Sequence, residues 1–259
     1  MNEIEMQEMS QEFYPCWQAA GRHLNNQVEG GIQFWLRAHS NPPVLEHLSF
    51  RLGNQLFFIR VEDVDNKVEG PGTLTGLNYV SEGMQGYACI LPMKKASGRE
   101  WVAAYSGWGL LDAKTRELIN PVNKVTDEKI EMTPWELHDL AVQIVRLDLE
   151  KDGYQLMSWQ SNPDVDPSIW FIGDSGGPEW VIVREGKYLA RGDAPPPENL
   201  AEIAEYHSRL SKIGHFAPVS IVSSEDSFDP AKAVSVEPLW RGHEASIRFK
   251  GLQKVSPVN

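Results

Sequence analysis

The sequence predicts an α+β fold made of two tandem pseudo-repeats, each running helix, three strands, helix, strand, and together forming an intramolecular pseudo-dimer. Two observations carry that expectation. Three short blocks recur in order: Gly31-Ile32-Gln33 returns as Gly153-Tyr154-Gln155, Ser40-Asn41-Pro42 as Ser161-Asn162-Pro163, and Phe58-Ile59-Arg60 as Ile182-Val183-Arg184. The same succession of helix and strand signals surrounds both sets, and matched blocks in register mark a repeated supersecondary unit. The expected boundaries are 12–112 for the first repeat, 113–132 for a polar connector, and 133–252 for the second repeat.

The second repeat has the clearest signals. Thr133-Pro134-Trp135-Glu136 has the form of a capping box with proline at the first helical position. Leu137, Leu140, Ala141, Ile144 and Leu147 follow at helical spacing until Asp152-Gly153 stops the helix. Tyr154 to Trp159 reads as a strand. Residues 168–172 and 180–184 are aromatic and β-branched runs on either side of Gly173-Asp174-Ser175-Gly176-Gly177, which predicts a hairpin. Three prolines at 195–197 lead into a second helix with Leu200, Ile203, Ala204, Leu210 and Ile213 on one side, ending at Gly214. Phe216 to Val222 is the fourth strand, with a last strand or two around Ala245 to Phe249.

The first repeat follows the plan more loosely. Pro15 and Trp17 open a helix with Ala20, Leu24 and Val28 on one face, and Gly30-Gly31 ends it. Phe34 to Arg37, Leu48 to Arg51 and Leu56 to Val61 are the three strands. The stretch from Thr73 to Met84 holds a weak helix at best, and Tyr87 to Leu91 takes the place of the fourth strand.

Composition narrows the function. Twenty-four Lys and Arg against 36 Asp and Glu give a net charge of −12, which repels a phosphate backbone unless basic groups gather on one face. No basic run does so, and nucleic acid is disfavoured as a partner. No apolar stretch approaches the ~20 residues that span a bilayer, so no membrane association is expected. The first dozen residues carry Glu3, Glu5, Glu8 and Glu12 and no apolar run, and the two cysteines, Cys16 and Cys89, have no metal-ligand spacing. A cytoplasmic, acidic protein is the expectation.

Gly173-Asp174-Ser175-Gly176-Gly177-Pro178 resembles, over six residues, the nucleophile motif of the trypsin-like serine proteases, which implies Ser175 as nucleophile with His39 and Asp112 as partners. Two amphipathic helices have no place in that double β-barrel fold, and small residues are what a tight hairpin turn requires. The motif is therefore read as a turn, not as a trypsin-like protease.

A second resemblance covers element order over residues 134–222. Helix, three strands, helix, strand is similar to the core of the restriction-endonuclease-like PD-(D/E)xK nucleases. The resemblance implies Asp166, Asp174, Glu185 and Lys187 as catalytic residues and Mg²⁺ as cofactor. Glu185 and Lys187, two apart on a strand, share one face, and the carboxylate would hold metal while the ammonium lies near the attacking water. The first repeat carries Leu45, Val61 and Asp63 at the matching positions, so only the second repeat would be active.

The leading expectation is a non-catalytic binding or regulatory module, without cofactor or metal, that takes an unidentified protein or small ligand in a cleft between the repeats. Trp101, Trp108 and Trp240 are the candidate contacts. Trp108 stands between Gly107 and Gly109, on a turn that could present its ring. The metal-dependent nuclease or phosphodiesterase is the alternative.

Overall fold

The computed structural model describes residues 12–36, 47–96, 100–186, 193–226, 228 and 238–255. Its described residues form four α-helices and thirteen strands in two sheets, a mixed α+β architecture. The chain separates into two units, Met1–Lys129 and Ile130–Asn259.

In the first unit, α1 (Tyr14–Asn25) carries Pro15 in its first turn and buries Cys16, Trp17, Ala20 and Leu24. Strands β1 (Phe34–Trp35), β2 (Leu48–Leu52) and β3 (Gln55–Asp63) form an antiparallel meander. Helix α2 (Leu74–Gly83) then carries the chain over to β4 (Tyr87–Lys95), which lies parallel to β3, with Phe57 opposite Tyr87 and Asp63 opposite Met93. The outer side of β4 is covered antiparallel by β5 (Trp101–Ala103) at one end and β6 (Leu110–Asp112) at the other, and β7 (Leu118–Ile119) extends the sheet beyond β6. Burial raises the thiol pKa of Cys16 and of Cys89 to about 12.

Helix α2 is firmer than its sequence suggests, because Thr73 accepts a hydrogen bond from the Gly76 amide and caps it. The segment expected to serve as a connector contributes β7 and a 3₁₀ turn at Pro121–Lys124. Asn54, at the β2–β3 turn, donates to Thr126 Oγ1 and to the Glu128 carbonyl and ties that segment down.

In the second unit, the capping box at α3 (Pro134–Lys151) is complete. Thr133 Oγ1 accepts from the Glu136 amide at 3.2 Å, and Glu136 Oε2 accepts from the Thr133 amide at 2.9 Å. Strands β8 (Gln155–Trp159), β9 (Ile169–Ile172) and β10 (Pro178–Gly186) are antiparallel, and α4 (Leu200–His207) leads to β11 (Gly214–Ser223), parallel to β10. The outer side of β11 is covered antiparallel by β12 (Ala245–Phe249) at one end and β13 (Gln253–Val255) at the other.

Strand alternation sorts the second unit into two apolar layers. Val181 and Val183 pack with Ala141, Val142 and Val145 of α3, together with Phe171, Ala217 and Val219. Trp180 and Ile182 point the other way, against Phe216 and the α4 residues Leu200, Ile203 and Ala204. The predicted α4 stripe extends to Ile213, but the helix ends at His207 and leaves Leu210 71% exposed. His207 anchors that end: its carbonyl accepts from the Leu210 and Ser211 amides, and its ring lies 5.5 Å from Trp170 and 6.1 Å from Trp180.

Candidate functional site

The second unit carries a set of charges whose partners can be traced one by one. Strand parity places Arg184 and Glu185 on opposite faces of β10. Arg184 pairs with Asp166 through two contacts, at 2.9 and 2.5 Å. On the α3 face, Nδ1 of His138 donates to Oε2 of Glu185 at 2.8 Å, and His215 meets Glu179 at 2.6 Å. Glu136 holds Arg241 in a bidentate pair, both contacts at 2.8 Å.

Of the expected metal site, the three described residues, Asp166, Asp174 and Glu185, are therefore not brought together. Asp166 and Glu185 are turned to different sides of the sheet, each toward its own basic partner. Asp174 stands on the β9–β10 turn, at the other end of β10 from Glu185, and accepts from the Tyr154 hydroxyl at 3.1 Å. That hydrogen bond and the Asp174 charge raise the Tyr154 pKa. Lys187 lies outside the described residues. Among the described residues no group of three or more His, Cys, Asp or Glu side chains could hold a metal ion.

The Gly173–Gly177 stretch is a hairpin turn: Gly173 donates to the Gly177 carbonyl, Gly176 donates to the Gly173 carbonyl, and Gly176 has φ +74°. Ser175 is exposed at its tip. Asp112 caps a turn in the first unit by accepting from the Lys114 and Thr115 amides at 2.8 Å. His39 lies outside the described residues. A shallow notch of about 330 Å³ beside the hairpin is lined by Asp152, Tyr154, Gln155 and Asp174.

The tryptophans proposed as contacts are accounted for within their own units. Trp108 is a correction: its ring is 8% exposed and stacks on Phe50 with centroids 5.7 Å apart. Gly107 and Gly109, at φ +66° and +67°, fold the turn back so that the ring enters the core instead of leaving it. Trp101 sits half-buried in β5 with the Lys95 ammonium 5.1 Å from its ring centroid. Trp240 is half-buried and forms an antiparallel bridge with Glu131.

One buried cation of the second unit has no ion pair among the described residues. Arg146 on α3 is 5% exposed, and its guanidinium lies 5.0 Å from the ring centroid of Trp159 on β8. Its Nε is sealed from solvent and has no hydrogen-bond partner among the described residues. Two more buried polar atoms without partners flank it in sequence: Nε2 of Gln143, three positions back on the helix, and Oγ of Ser161, two residues beyond Trp159. Glu150, one turn further on, is exposed and forms no ion pair with Arg146. Taking a guanidinium out of water costs several kcal/mol, whereas a cation–π contact returns about 0.5–2 kcal/mol. The imbalance leaves a demand for negative charge at this point of the fold.

Residues 135–255 match the model of a domain of unknown function, DUF8840. The matched span runs from the first turn of α3 to the end of β13 and so covers every side chain of the Arg146 region. It amounts to less than half of the chain. No curated protein and no solved structure matches the chain. No helix among the described residues is long and apolar enough to cross a membrane.

Sequence reasoning passed over Arg146, although a signal was there. It interrupts the apolar stripe of α3 four residues after Val142 and three before Leu149, where a surface arginine has no place.

His207 supplies a pH test of the same unit. Burial pushes its pKa below the ordinary 6.5, against an opposing pull from Asp166. The unfolded chain therefore takes up the proton more readily than the folded one. Stability is fully present above about pH 6.5 and is lost as pH falls from there through the lower folded value. Urea midpoints measured at pH 8, 6.5 and 5 should fall on acidification, and His207→Phe should flatten that fall. An equal acid sensitivity in both proteins would exclude His207 as its source.

Proposed function

We propose that the protein is a non-catalytic binding module made of two copies of one α+β unit, with its working surface on the second. The observation that carries the binding reading is the allotment of charge in that unit. Asp166, Glu185, Glu136 and Glu179 are each committed to a basic partner, while the buried cation Arg146 has no acidic partner among the described residues. Catalysis by metal-activated water needs carboxylates that converge and stay available. Recognition needs an unmet demand, and Arg146 presents one.

Duplication is supported by topology as well as by the matched blocks. Each unit runs helix, antiparallel three-strand meander, helix, parallel fourth strand, then two short antiparallel strands on opposite ends of that fourth strand. Phe58-Ile59-Arg60 and Ile182-Val183-Arg184 occupy the third strand of each meander, where it pairs parallel with the fourth. Gly31 and Gly153 both turn the chain at positive φ just ahead of the first strand. The Ser40-Asn41-Pro42 block lies outside the described residues.

The test is calorimetric titration with Mg²⁺ and Mn²⁺ alongside cleavage of single- and double-stranded DNA. The expected result is no saturable metal heat and no cleavage. Metal-dependent cleavage that Glu185→Gln or Lys187→Ala abolishes, with the fold intact by circular dichroism, would overturn the reading.

A further inference from the structure

We propose that Arg146, stacked on Trp159, anchors a carboxylate-binding slot between α3 and the edge strand β8 of the second unit. The inference rests on the binding reading above and names its ligand chemistry. DNA cleavage and carboxylate binding are separate readouts, so either can fail alone.

The slot is built, not incidental. The Arg146 side chain projects from α3, and its guanidinium carbon lies 5.0 Å from the centroid of the Trp159 ring on β8. Nε is sealed, and it alone of the three guanidinium nitrogens is both buried and without a partner. The two terminal nitrogens are not among the sealed, unpartnered atoms, and the end-on fork of a guanidinium fits the two oxygens of one planar carboxylate. Stacking on an indole leaves the in-plane donors untouched, so Trp159 and a carboxylate can be engaged together. Gln143 Nε2 is a further buried donor on the same helix, one turn away.

Charge selects carboxylate over phosphate. Arg146 brings a single positive charge, and the only other fully cationic residue of α3, Lys151, stands about 140° around the helix from it at 3.6 residues per turn. One cation in a protein of net charge −12 balances a monoanion and leaves a phosphate dianion under-compensated. β8 is the end strand of its sheet, so a carboxylate on a chain terminus or an acidic side chain can approach without displacing a neighbouring strand.

The experiment follows the Arg146 Nε–H resonance by NMR in the full chain. The probes are sodium acetate, an N-acetyl dipeptide with a free C-terminus, the same dipeptide amidated, inorganic phosphate and sodium chloride, all at constant ionic strength. Acetate and the free-acid dipeptide should shift the resonance saturably at millimolar concentration, while the amidated dipeptide and chloride should not. Phosphate should bind at least threefold more weakly than acetate. Arg146→Met keeps the packing on Trp159 and removes the charge. It should lose the carboxylate-induced rise in melting temperature seen in the parent while melting at or above the parent's ligand-free temperature. Arg146→Lys should weaken acetate binding at least tenfold, because the ammonium has no fork. The proposal is overturned if no probe gives a saturable shift, if chloride matches acetate, if phosphate binds more tightly than acetate, or if Arg146→Met retains the carboxylate-dependent stabilisation.

Discussion

Arg241→Ala is expected to lower the stability of the second unit by about 3–5 kcal/mol, the usual cost of stranding one member of a buried ion pair. The guanidinium is 1% exposed and its Glu136 partner 8%, so neither charge can fall back on water. Glu136 is also the acceptor that completes the α3 capping box, receiving the Thr133 amide through the same Oε2 that Arg241 contacts. The loss would therefore reach the helix start as well as the ion pair. The segment bearing Arg241 is bound to the approach of α3 by backbone bonds, Arg241 N to the Ile130 carbonyl and Met132 N to the Leu239 carbonyl. Urea unfolding followed by circular dichroism measures the change. Glu136→Gln keeps an amide oxygen for the Thr133 amide but removes the carboxylate charge that Arg241 grips with two contacts, and it should cost a comparable amount. The double variant Glu136→Gln/Arg241→Met removes both charges and should cost clearly less than the sum of the two single changes. A single-variant loss below about 0.5 kcal/mol would mean that the pair is not buried in solution.

Much of the fold could be read from the chain because its signals are local. The capping box depends on Thr133 and Glu136, three residues apart, and the 173–177 turn depends on small residues placed between two β-branched runs. The α+β class follows from those short-range patterns. What the chain concealed depends on partners far apart in sequence. Trp108 reads as a presented ring until its glycines fold it onto Phe50, 58 positions earlier. The candidate metal site was built on the closeness in sequence of Asp166, Asp174 and Glu185. Their actual partners are set by sheet parity and by helix packing: Arg184 for Asp166 on one face, His138 of α3 for Glu185 on the other. Alternation alone places residues 184 and 185 on opposite faces, and Arg184 was the nearby cation to weigh against the metal. Arg146 was legible only as an oddity, since a charged residue in an apolar stripe signals function when its partner is missing, and a missing partner is visible only in three dimensions.

The second large effect belongs to Trp180, the largest of the fully buried side chains, at 1% exposure. Trp180→Ala should cost about 3–5 kcal/mol through lost burial and the cavity it leaves. The indole also donates from Nε1 to the Ser211 carbonyl at 3.3 Å, tying β10 to the turn that follows α4. Directly across the parallel ladder from Trp180 stands Gly214, where an added Cβ would lie 2.0 Å from Cζ2 of the ring. Gly214 is not in the left-handed region, so alanine would carry no backbone penalty there and would ordinarily favour the strand. Any loss in Gly214→Ala therefore reports the collision with the ring, and overpacking of this kind costs about 1–3 kcal/mol. The two positions should be strongly coupled. In a Trp180→Leu background, where a smaller side chain vacates the space beside Gly214, the alanine should cost far less than in the parent. A double-mutant cycle on urea-derived stabilities measures this coupling, and strict additivity would show that the ring and the glycine do not share that space.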